Sequence, residues 1–348
     1  MSQAASPAPP APGGSMRAAV LRGPGQVALE QLPVPAPGPG EILVRMRACG
    51  ICGSDLMDWY VAQKAPFVFG HEPAGEVAAL GPGVSGFAVG QRVFVHHHAP
   101  CMECEVCRRG DFVHCGVWRQ NALRPGGMAE YAVVAAQSVR QDTLALPPSV
   151  SFAAATLVEP AACIVKALRR ARFAAGMRVH IIGLGFTGQV FGFLARAGGA
   201  AFVSGSDQIG PRLALAAAHW ADAVFDVQNS QPPGQSFDLV VVTPGSAAAI
   251  RAGVDLVRNG GTLLLFAPTP PGEDVGLPVH ELFFREVTVV TSYSAGPPDT
   301  RQALAHVAAG HLPEDVLISH RYPLAEAAEA YRAAGRGEEV LKVIVTMD

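Results

Sequence analysis

Long hydrophobic runs are missing from this 348-residue sequence. The longest apolar stretch, residues 181–195, is too short and too rich in glycine to span a bilayer, so we expect no membrane segment. The N-terminus has neither the basic start nor the apolar core of a signal peptide, which predicts a cytoplasmic protein. Thiols rarely form structural disulfides in that reducing compartment, so the seven cysteines need another explanation.

An excess of either charge is also absent. Charged residues make up 16% of the chain and the formal net charge is −3, which predicts no affinity for nucleic acid or anionic membranes. Lysine occurs only at positions 64, 166 and 342, so arginine carries most of the positive charge. The 49% of apolar residues indicate a globular protein with a large core, in a chain long enough for two domains.

The succession of patterns along the chain predicts an α/β fold with two domains. Residues 1–15 are rich in proline, alanine and serine and are expected to be a disordered tail. Short strand patterns separated by turn residues predict a mostly β domain over residues 16–157. Residues 158–294 alternate apolar strands with helical patterns, which predicts a doubly wound parallel sheet. Residues 295–348 contain a helical pattern and end in a strand pattern.

A glycine-rich turn opens the predicted parallel sheet. Gly183, Gly185 and Gly188 form G-x-G-x-x-G between a strand and a helical pattern, where a pyrophosphate can approach the backbone at a helix N-terminus. Asp207 follows nineteen residues after Gly188. An acid there hydrogen-bonds a ribose 2′-hydroxyl and repels a 2′-phosphate, so NAD is favoured over NADP. A turn or helix cap is the alternative role of Asp207. The other cofactor contacts that we expect are Phe186, Thr187, Ser292 and Thr243, the last of which could instead cap a loop.

Four cysteines lie within residues 96–116 and predict a structural metal site. Cys101, Cys104, Cys107 and Cys115 follow the spacing C-x2-C-x2-C-x7-C. A bacterial ferredoxin run ends in x3 and a proline, whereas here the last interval is longer and a glycine follows. Four thiolates on a short loop suit a closed zinc site that stabilises a lobe with little core of its own. Four unliganded thiols are the alternative.

A second set of metal-binding side chains is scattered over separate segments. Cys52, His71 with Glu72, and Glu159 supply a thiolate, an imidazole and two carboxylates, which suits an open zinc site with room for water or substrate. Each residue also has an ordinary explanation without a metal. Cys52 could be a small buried hydrophobic residue, His71 a loop histidine and Glu159 a carboxylate in a helix turn. Cys49 and Cys163 are expected to be core residues.

At these residues the chain resembles the zinc-dependent medium-chain dehydrogenases, the group of alcohol, polyol and threonine dehydrogenases. The similarity runs from Met16 to Asp348 and is carried by the following stretches, which occur in the family's order: "GICGSD", "GHEPAGEV", "CMECEVCRRGDFVHC", "LVEPAA" and "GLGFTG". It implies a GroES-like catalytic domain and a Rossmann domain, with the last segment returning to the catalytic domain. It also implies two zinc ions per chain and a homodimer or homotetramer.

The resemblance further assigns roles to the scattered residues. Cys52, His71 and a carboxylate would bind the catalytic zinc, and in the polyol and threonine branch Glu72 and Glu159 share or exchange the carboxylate position. Ser54 lies where the family keeps a hydroxyl that relays the alcohol proton. Met57 stands where many relatives carry a relay histidine, so the proton would leave through water, a cofactor hydroxyl or a group such as Asp58.

The sequence therefore predicts an NAD- and zinc-dependent dehydrogenase. Its substrate would be a secondary alcohol, or the matching ketone, of a polyol, sugar or cyclitol. An amino alcohol or aminocyclitol is the alternative within the same chemistry. A catalytically silent nucleotide-binding protein is the alternative from another class, although none of the predicted catalytic ligands is missing. The cysteine lobe lacks the basic face that a nucleic-acid partner would need, because its arginines lie beside acidic residues.

Overall fold

The structure is a computed structural model that describes residues 13–337 and 340–347. Most of the predicted tail, residues 1–12, thus lies outside the described residues. The strands are β1 Ser15–Gly23, β2 Gln26–Pro33, β3 Ile42–Gly50, β4 Phe67–Val68, β5 Glu72–Leu80, β6 Arg92–Val95, β7 Tyr131–Val134, β8 Thr143–Ala145, β9 Arg178–Ile182, β10 Phe202–Asp207, β11 Ala223–Asp226, β12 Phe237–Val242, β13 Val257–Leu265, β14 Thr288–Thr291, β15 Ile318–Pro323 and β16 Lys342–Thr346.

Helices connect most of these strands. They are α1 Asp58–Ala62, α2 Glu105–Arg108, α3 Ala136–Asp142, α4 Phe152–Ala155, α5 Val158–Arg170, α6 Phe186–Ala197, α7 Gly210–His219, α8 Ala247–Leu256, α9 Val279–Phe284, α10 Pro297–Ala308, α11 Glu314–Leu317 and α12 Ala327–Gly335. Four 3-10 turns cover Gly53–Leu56, Phe112–His114, Trp118–Gln120 and Leu324–Glu326. Among the described residues, no helix combines the length and apolar character needed to cross a membrane.

The first part of the chain forms two mainly antiparallel sheets. One has the order β2-β1-β4, and the larger has the order β15-β16-β3-β5-β6-β8, with β7 also paired to β3. Apolar residues of β1, β3, β5, β6 and β7 form one hydrophobic core between these sheets. The candidate metal ligands of this domain lie on loops of this β framework or, for Glu72, at the start of a strand.

The second part forms one six-stranded parallel sheet with the order β11-β10-β9-β12-β13-β14. This is the strand order of a Rossmann fold, in which ligands bind where the order reverses, here between β9 and β12. The predicted α/β class with a parallel sheet is confirmed. The sequence pattern around β11 does not predict a strand, because this four-residue, partly buried edge strand has no continuous apolar run.

The end of the chain joins the β domain again. β16 pairs antiparallel with β3 and parallel with β15, so the last strand extends the larger sheet. α5 connects the two domains, since its buried face shares a core with Phe94 of β6 and with Ile344 of β16. The start of α5 and the start of β16 thereby come to the boundary between the domains.

Candidate metal and cofactor sites

Three of the predicted catalytic ligands converge at the boundary between the domains. Donor atoms of Cys52, His71 and Glu72 all lie within 4.8 Å of one another. Cys52 caps the 3-10 turn Gly53–Leu56, and its backbone N–H donates to Asp55 Oδ2 at 3.1 Å. His71 and Glu72 stand just before and at the start of β5, so the framework places both beside the Cys52 loop.

Asp55 is a positioning residue that the sequence analysis missed. Its carboxylate is buried, and Oδ1 lies 3.5 Å from Nδ1 of His71. A carboxylate that holds one imidazole nitrogen leaves the other for a metal, which is the usual arrangement around metal-bound histidine. Its position within "GICGSD", three residues after Cys52, was the signal available in the sequence.

The charge of His71 reflects its acidic surroundings. Burial lowers the pKa of His71, but the negative charges of Asp55 and Cys52 outweigh burial and hold the pKa well above its usual value. The surroundings therefore favour the protonated imidazole in the metal-free protein. A bound cation must displace that proton, because a metal takes the neutral ring.

Glu72 is paired with a lysine from the far end of the chain. Nζ of Lys342 lies 2.6 Å from Oε1 and 2.5 Å from Oε2 of Glu72, and it also donates to the Ile51 carbonyl at 3.0 Å. Both side chains are buried. Burial alone lowers the pKa of Lys342, but the Glu72 charge reverses this effect and raises the pKa above its usual value. The pair is thus an ion pair, and the sequence held no local signal for it.

Glu159 falls into a neighbouring group instead. Its donor atoms lie within 4.8 Å of those of His96 and His97, two residues that the sequence analysis did not assign. Glu159 is in the first turn of α5, and burial raises the pKa of its carboxyl. The adjacent His97 ring lies 5.0 Å from the His71 ring, centroid to centroid. The structure therefore brings all four predicted ligands to one region but divides them between two groups of donors.

The residues considered for the proton relay lie on the Cys52 loop. Ser54 is partly exposed in the same 3-10 turn, and Met57 caps the start of α1. Asp58 is the first residue of α1 and is exposed to solvent. Among these residues, Ser54 carries the hydroxyl that is closest in sequence to Cys52.

The four clustered cysteines form a compact thiol group, as the predicted structural metal site requires. All seven cysteines of the chain are free, and the four donor atoms of this cluster lie within 4.8 Å of one another. Sulfur–sulfur distances are 3.5 Å for Cys104 and Cys107, 3.8 Å for Cys101 and Cys107, and 3.9 Å for Cys104 and Cys115. A tetrahedral zinc with Zn–S bonds of about 2.3 Å needs sulfurs about 3.8 Å apart, so the cluster fits the ion.

The surroundings of the thiols also suit a metal. Backbone N–H groups at Glu103 and Cys104 lower the pKa of Cys101 to about 6, which favours the thiolate. Burial raises the pKa of Cys107 to about 12 in the metal-free lobe, so an ion must displace that proton. Few apolar side chains support the lobe, with Phe112 and Trp118 the large ones. A bound ion would therefore supply much of its stability.

The glycine-rich turn has the shape that a dinucleotide requires. Gly183 has φ +85°, and a Cβ there would lie 2.5 Å from Thr243 Oγ1. A Cβ on Gly188 would lie 2.0 Å from the Gly183 carbonyl, so this glycine permits close packing of helix on strand. Gly185 caps α6, whose N-terminus faces the crevice at the end of β9. The backbone can thus approach a pyrophosphate closely.

Asp207 stands at the carboxyl end of β10, and its carboxylate is engaged by the backbone. Oδ2 accepts from the Leu184 N–H at 2.6 Å, and Oδ1 accepts from the N–H groups of Gln208 and Ile209 at 2.7 and 3.0 Å. Arg212 Nη1 lies 3.8 Å from Oδ2. The carboxylate therefore holds the glycine-rich turn and caps its own loop.

The remaining predicted cofactor contacts have different environments. Thr243 Oγ1 bonds to the carbonyls of Ile182 and Gly183 at 3.1 and 2.9 Å, so it fastens the loop. Ser292 Oγ is buried without a hydrogen-bond partner among the described residues, which suits a ligand contact. Phe186 and Thr187 lie in the first turn of α6, and the Phe186 ring is 4.6 Å from Lys342 Nζ.

Comparison with known proteins identifies the family. Residues 38–148 match the alcohol dehydrogenase GroES-like domain, and residues 187–309 match the zinc-binding dehydrogenase domain. Sorbitol dehydrogenase of Gallus gallus is 32% identical over 96% of this chain and 97% of its own length. L-galactonate-5-dehydrogenase of Escherichia coli K12 is 30% identical over 95% of this chain and 99% of its own.

A solved structure agrees with these relatives. A zinc-binding dehydrogenase of Sinorhizobium meliloti 1021 with bound NADP has a TM-score of 0.85 and 29% identity, covering 96% of this chain and 100% of that one. The chain belongs to the zinc-dependent medium-chain dehydrogenase family, as its sequence motifs predicted. The GroES-like and Rossmann folds are likewise confirmed. The members of this family are oxidoreductases, and the function of this chain is of that class.

Proposed function

We propose that the protein transfers hydride between NAD(H) and a secondary alcohol or ketone of a polyol, sugar or cyclitol. The convergence of Cys52, His71 and Glu72 carries the proposal, since a thiolate, an imidazole and a carboxylate form a zinc site that leaves a position for substrate. The sorbitol and L-galactonate dehydrogenases named above support a polyhydroxylated substrate.

The residues of the site would have separate roles in the reaction. Cys52 Sγ, His71 and Glu72 would hold the zinc, whose Lewis acidity lowers the pKa of an alcohol. Asp55 fixes the His71 ring, and Lys342 balances the charge of Glu72. Ser54 would accept the alcohol proton and pass it to water, because Met57 has no group that binds a proton. A bound nicotinamide cofactor would supply the hydride acceptor, and Phe186 and Thr187 at the start of α6 are proposed to contact the cofactor.

We propose NAD as the cofactor because of the charges at the end of β10. A 2′-phosphate would meet the Asp207 carboxylate, and repulsion would oppose its binding. Arg212, the nearest cation to this carboxylate, is already occupied by Asp207 and by the Gly337 carbonyl. The NADP bound to the Sinorhizobium protein makes this preference the first to test.

Cofactor choice is tested by the ratio of kcat/KM for NAD to that for NADP. Asp207→Asn should lower this ratio about tenfold or more, since an opposing charge is lost. Asp226→Asn is the matched control, because Asp226 ends the neighbouring strand β11 and also caps its own turn. An unchanged ratio in Asp207→Asn would contradict the assignment.

Two zinc ions per chain and their separate roles form the second part of the proposal. Metal content should be one ion per chain lower in Cys52→Ser than in the wild type, with NAD reduction lost in that variant. Cys49→Ala, three residues earlier and outside the metal groups of the described residues, should retain the wild-type metal content and activity. One ion in both wild type and Cys52→Ser, without turnover, would leave a silent binding protein. A panel of polyols, cyclitols and amino alcohols then narrows the substrate.

Self-association is proposed through the α9–β14 surface, residues 279–291. Val279, Phe283 and Phe284 are 70%, 72% and 71% exposed on α9, and β14 is the last strand of the parallel sheet. A second copy of the chain could cover the phenylalanines and continue the sheet at this edge. Phe283→Glu should yield monomers in analytical ultracentrifugation, whereas Phe283→Leu should not.

A reducing compartment such as the cytoplasm would suit the seven free cysteines.

A further inference from the structure

The histidines that follow β6 form a second group of metal-binding atoms beside the proposed catalytic zinc. His96, His97 and Glu159 bring their donor atoms within 4.8 Å of one another. The proposed reaction uses neither histidine, and His98, the next residue, lies outside the group. Two imidazoles and one carboxylate at such distances form a donor set that binds divalent transition metals.

His96 is prepared as a ligand by its own second partner. The ring is fully buried, and Nδ1 lies 2.6 Å from Asp142 Oδ2, while the Thr300 hydroxyl donates to the other oxygen of Asp142. Nδ1–H therefore donates to the carboxylate, which leaves a lone pair on Nε2. Nε2 is buried without a hydrogen-bond partner among the described residues. Carboxylate, imidazole and metal in that order are the usual arrangement of a metal-bound histidine.

The other two members also lack partners that would satisfy them. His97 packs between the rings of His96 and His71, with centroids 5.1 and 5.0 Å away, and its Nδ1 is buried without a partner in the described chain. Glu159 accepts one long hydrogen bond from Cys163 Sγ at 3.6 Å, and no salt bridge within residues 13–337 and 340–347 neutralises it. An unpaired buried carboxylate is costly, and a cation removes that cost.

We propose that His96, His97 and Glu159 bind a divalent transition-metal ion distinct from the catalytic and structural zinc ions. Ligands about 2.1 Å from a tetrahedral ion lie about 3.4 Å apart, so small side-chain rotations close the group around the metal. Glu159 then serves this ion, and Glu72 remains with Cys52 and His71. The contact between His97 and His71 places the two ions next to each other.

The number of zinc ions per folded chain tests the proposal. After equilibration with zinc and removal of unbound metal, the wild type should hold three ions. His96→Gln and His97→Gln should each hold two, and the control His98→Gln should hold three. His97 is only partly buried, so His97→Gln keeps the test valid if His96→Gln fails to fold. Cys52→Ser should hold two ions, and the double variant Cys52→Ser/His97→Gln should hold one. Independent losses of one ion from each substitution distinguish a failure of this site from a failure of the catalytic assignment.

Cobalt supplies a second measurement that does not depend on activity. Co²⁺ at the new site has no thiolate ligand, so it should add visible d–d absorption without the near-ultraviolet sulfur-to-metal band of the two cysteine sites. His97→Gln should remove that added absorption and leave the sulfur band unchanged. Two ions in the wild type would overturn the proposal, as would three ions in either folded histidine variant.

Discussion

Replacing Lys342 with methionine should tighten zinc binding at the Cys52 site while destabilising the metal-free protein. The lysine and Glu72 are buried together, with Nζ 2.6 and 2.5 Å from the two carboxylate oxygens. Without zinc, the substitution leaves a buried carboxylate unpaired. With zinc, the metal can neutralise the same carboxylate, provided that Glu72 is a ligand.

The expected magnitude follows from this burial. Removing one partner of a buried ion pair costs about 3–5 kcal/mol. If zinc binds Glu72, the cost in the zinc-loaded protein falls to about 1 kcal/mol, the value of the hydrogen bond that Lys342 donates to Ile51. The difference of about 2–4 kcal/mol corresponds to zinc binding tightened about 30- to 1000-fold.

Competition with a chromophoric chelator measures this change directly. Loss of a nearby positive charge also strengthens zinc binding through space, so the substitution is repeated in a Glu72→Gln background. The effect should be much smaller there. Equal zinc affinities for the wild type and Lys342→Met would refute the reasoning and would leave Glu159 as the carboxylate ligand. Metal analysis must show that the four-cysteine lobe keeps its ion throughout.

Three further predictions concern the rest of the fold. Burial lowers the pKa of His180 to about 3. Between pH 7 and 5 this histidine is therefore protonated in the unfolded chain but stays neutral in the folded one. The free energy of unfolding should therefore fall by about 2 kcal/mol from this residue, and urea unfolding of His180→Asn should show that much less acid sensitivity. Cys115→Ser should lose one zinc per chain and expose the lobe to limited proteolysis, whereas an intact metal content would contradict the lobe's role. Gly192→Ala should lower the unfolding midpoint, because its Cβ would lie 2.3 Å from the Trp220 ring and overpacking costs about 1–3 kcal/mol, while Gly210→Ala, with nothing within 4 Å, should not.

Much of the fold could be predicted from the sequence because its signals are local. Alternating or continuous apolar runs identified β3 and β12, and the glycines before α6 identified the dinucleotide turn. The short edge strand β11 could not be predicted, since four half-buried residues show no clear hydrophobic pattern. The spacing of the four clustered cysteines likewise predicted a thiol group that the structure shows to be compact. Such features depend on residues close together in the chain.

The partners of the site residues could not be predicted in this way. Lys342 reaches Glu72 across 270 positions because β16 pairs with β3, and no pattern near either residue indicates that pairing. Asp142 reaches His96 because the strands β6 and β8 are neighbours. Glu159 was expected beside the Cys52 ligands, yet the start of α5 places it among the histidines after β6. That Glu159 joins the Cys52 site stays a prediction from the sequence alone.

The amino-acid sequence specifies which chemical groups this protein carries: two sets of candidate metal ligands, a glycine-rich turn, and the strands and helices that bear them. Which of these groups share one charge environment depends on the tertiary structure. The reason is physical, since the pairing of buried charges depends on distances of a few ångströms between segments that sequence separates. Asp55 beside His71, Lys342 beside Glu72 and an unpaired Glu159 beside two histidines are the products of strand order and helix docking.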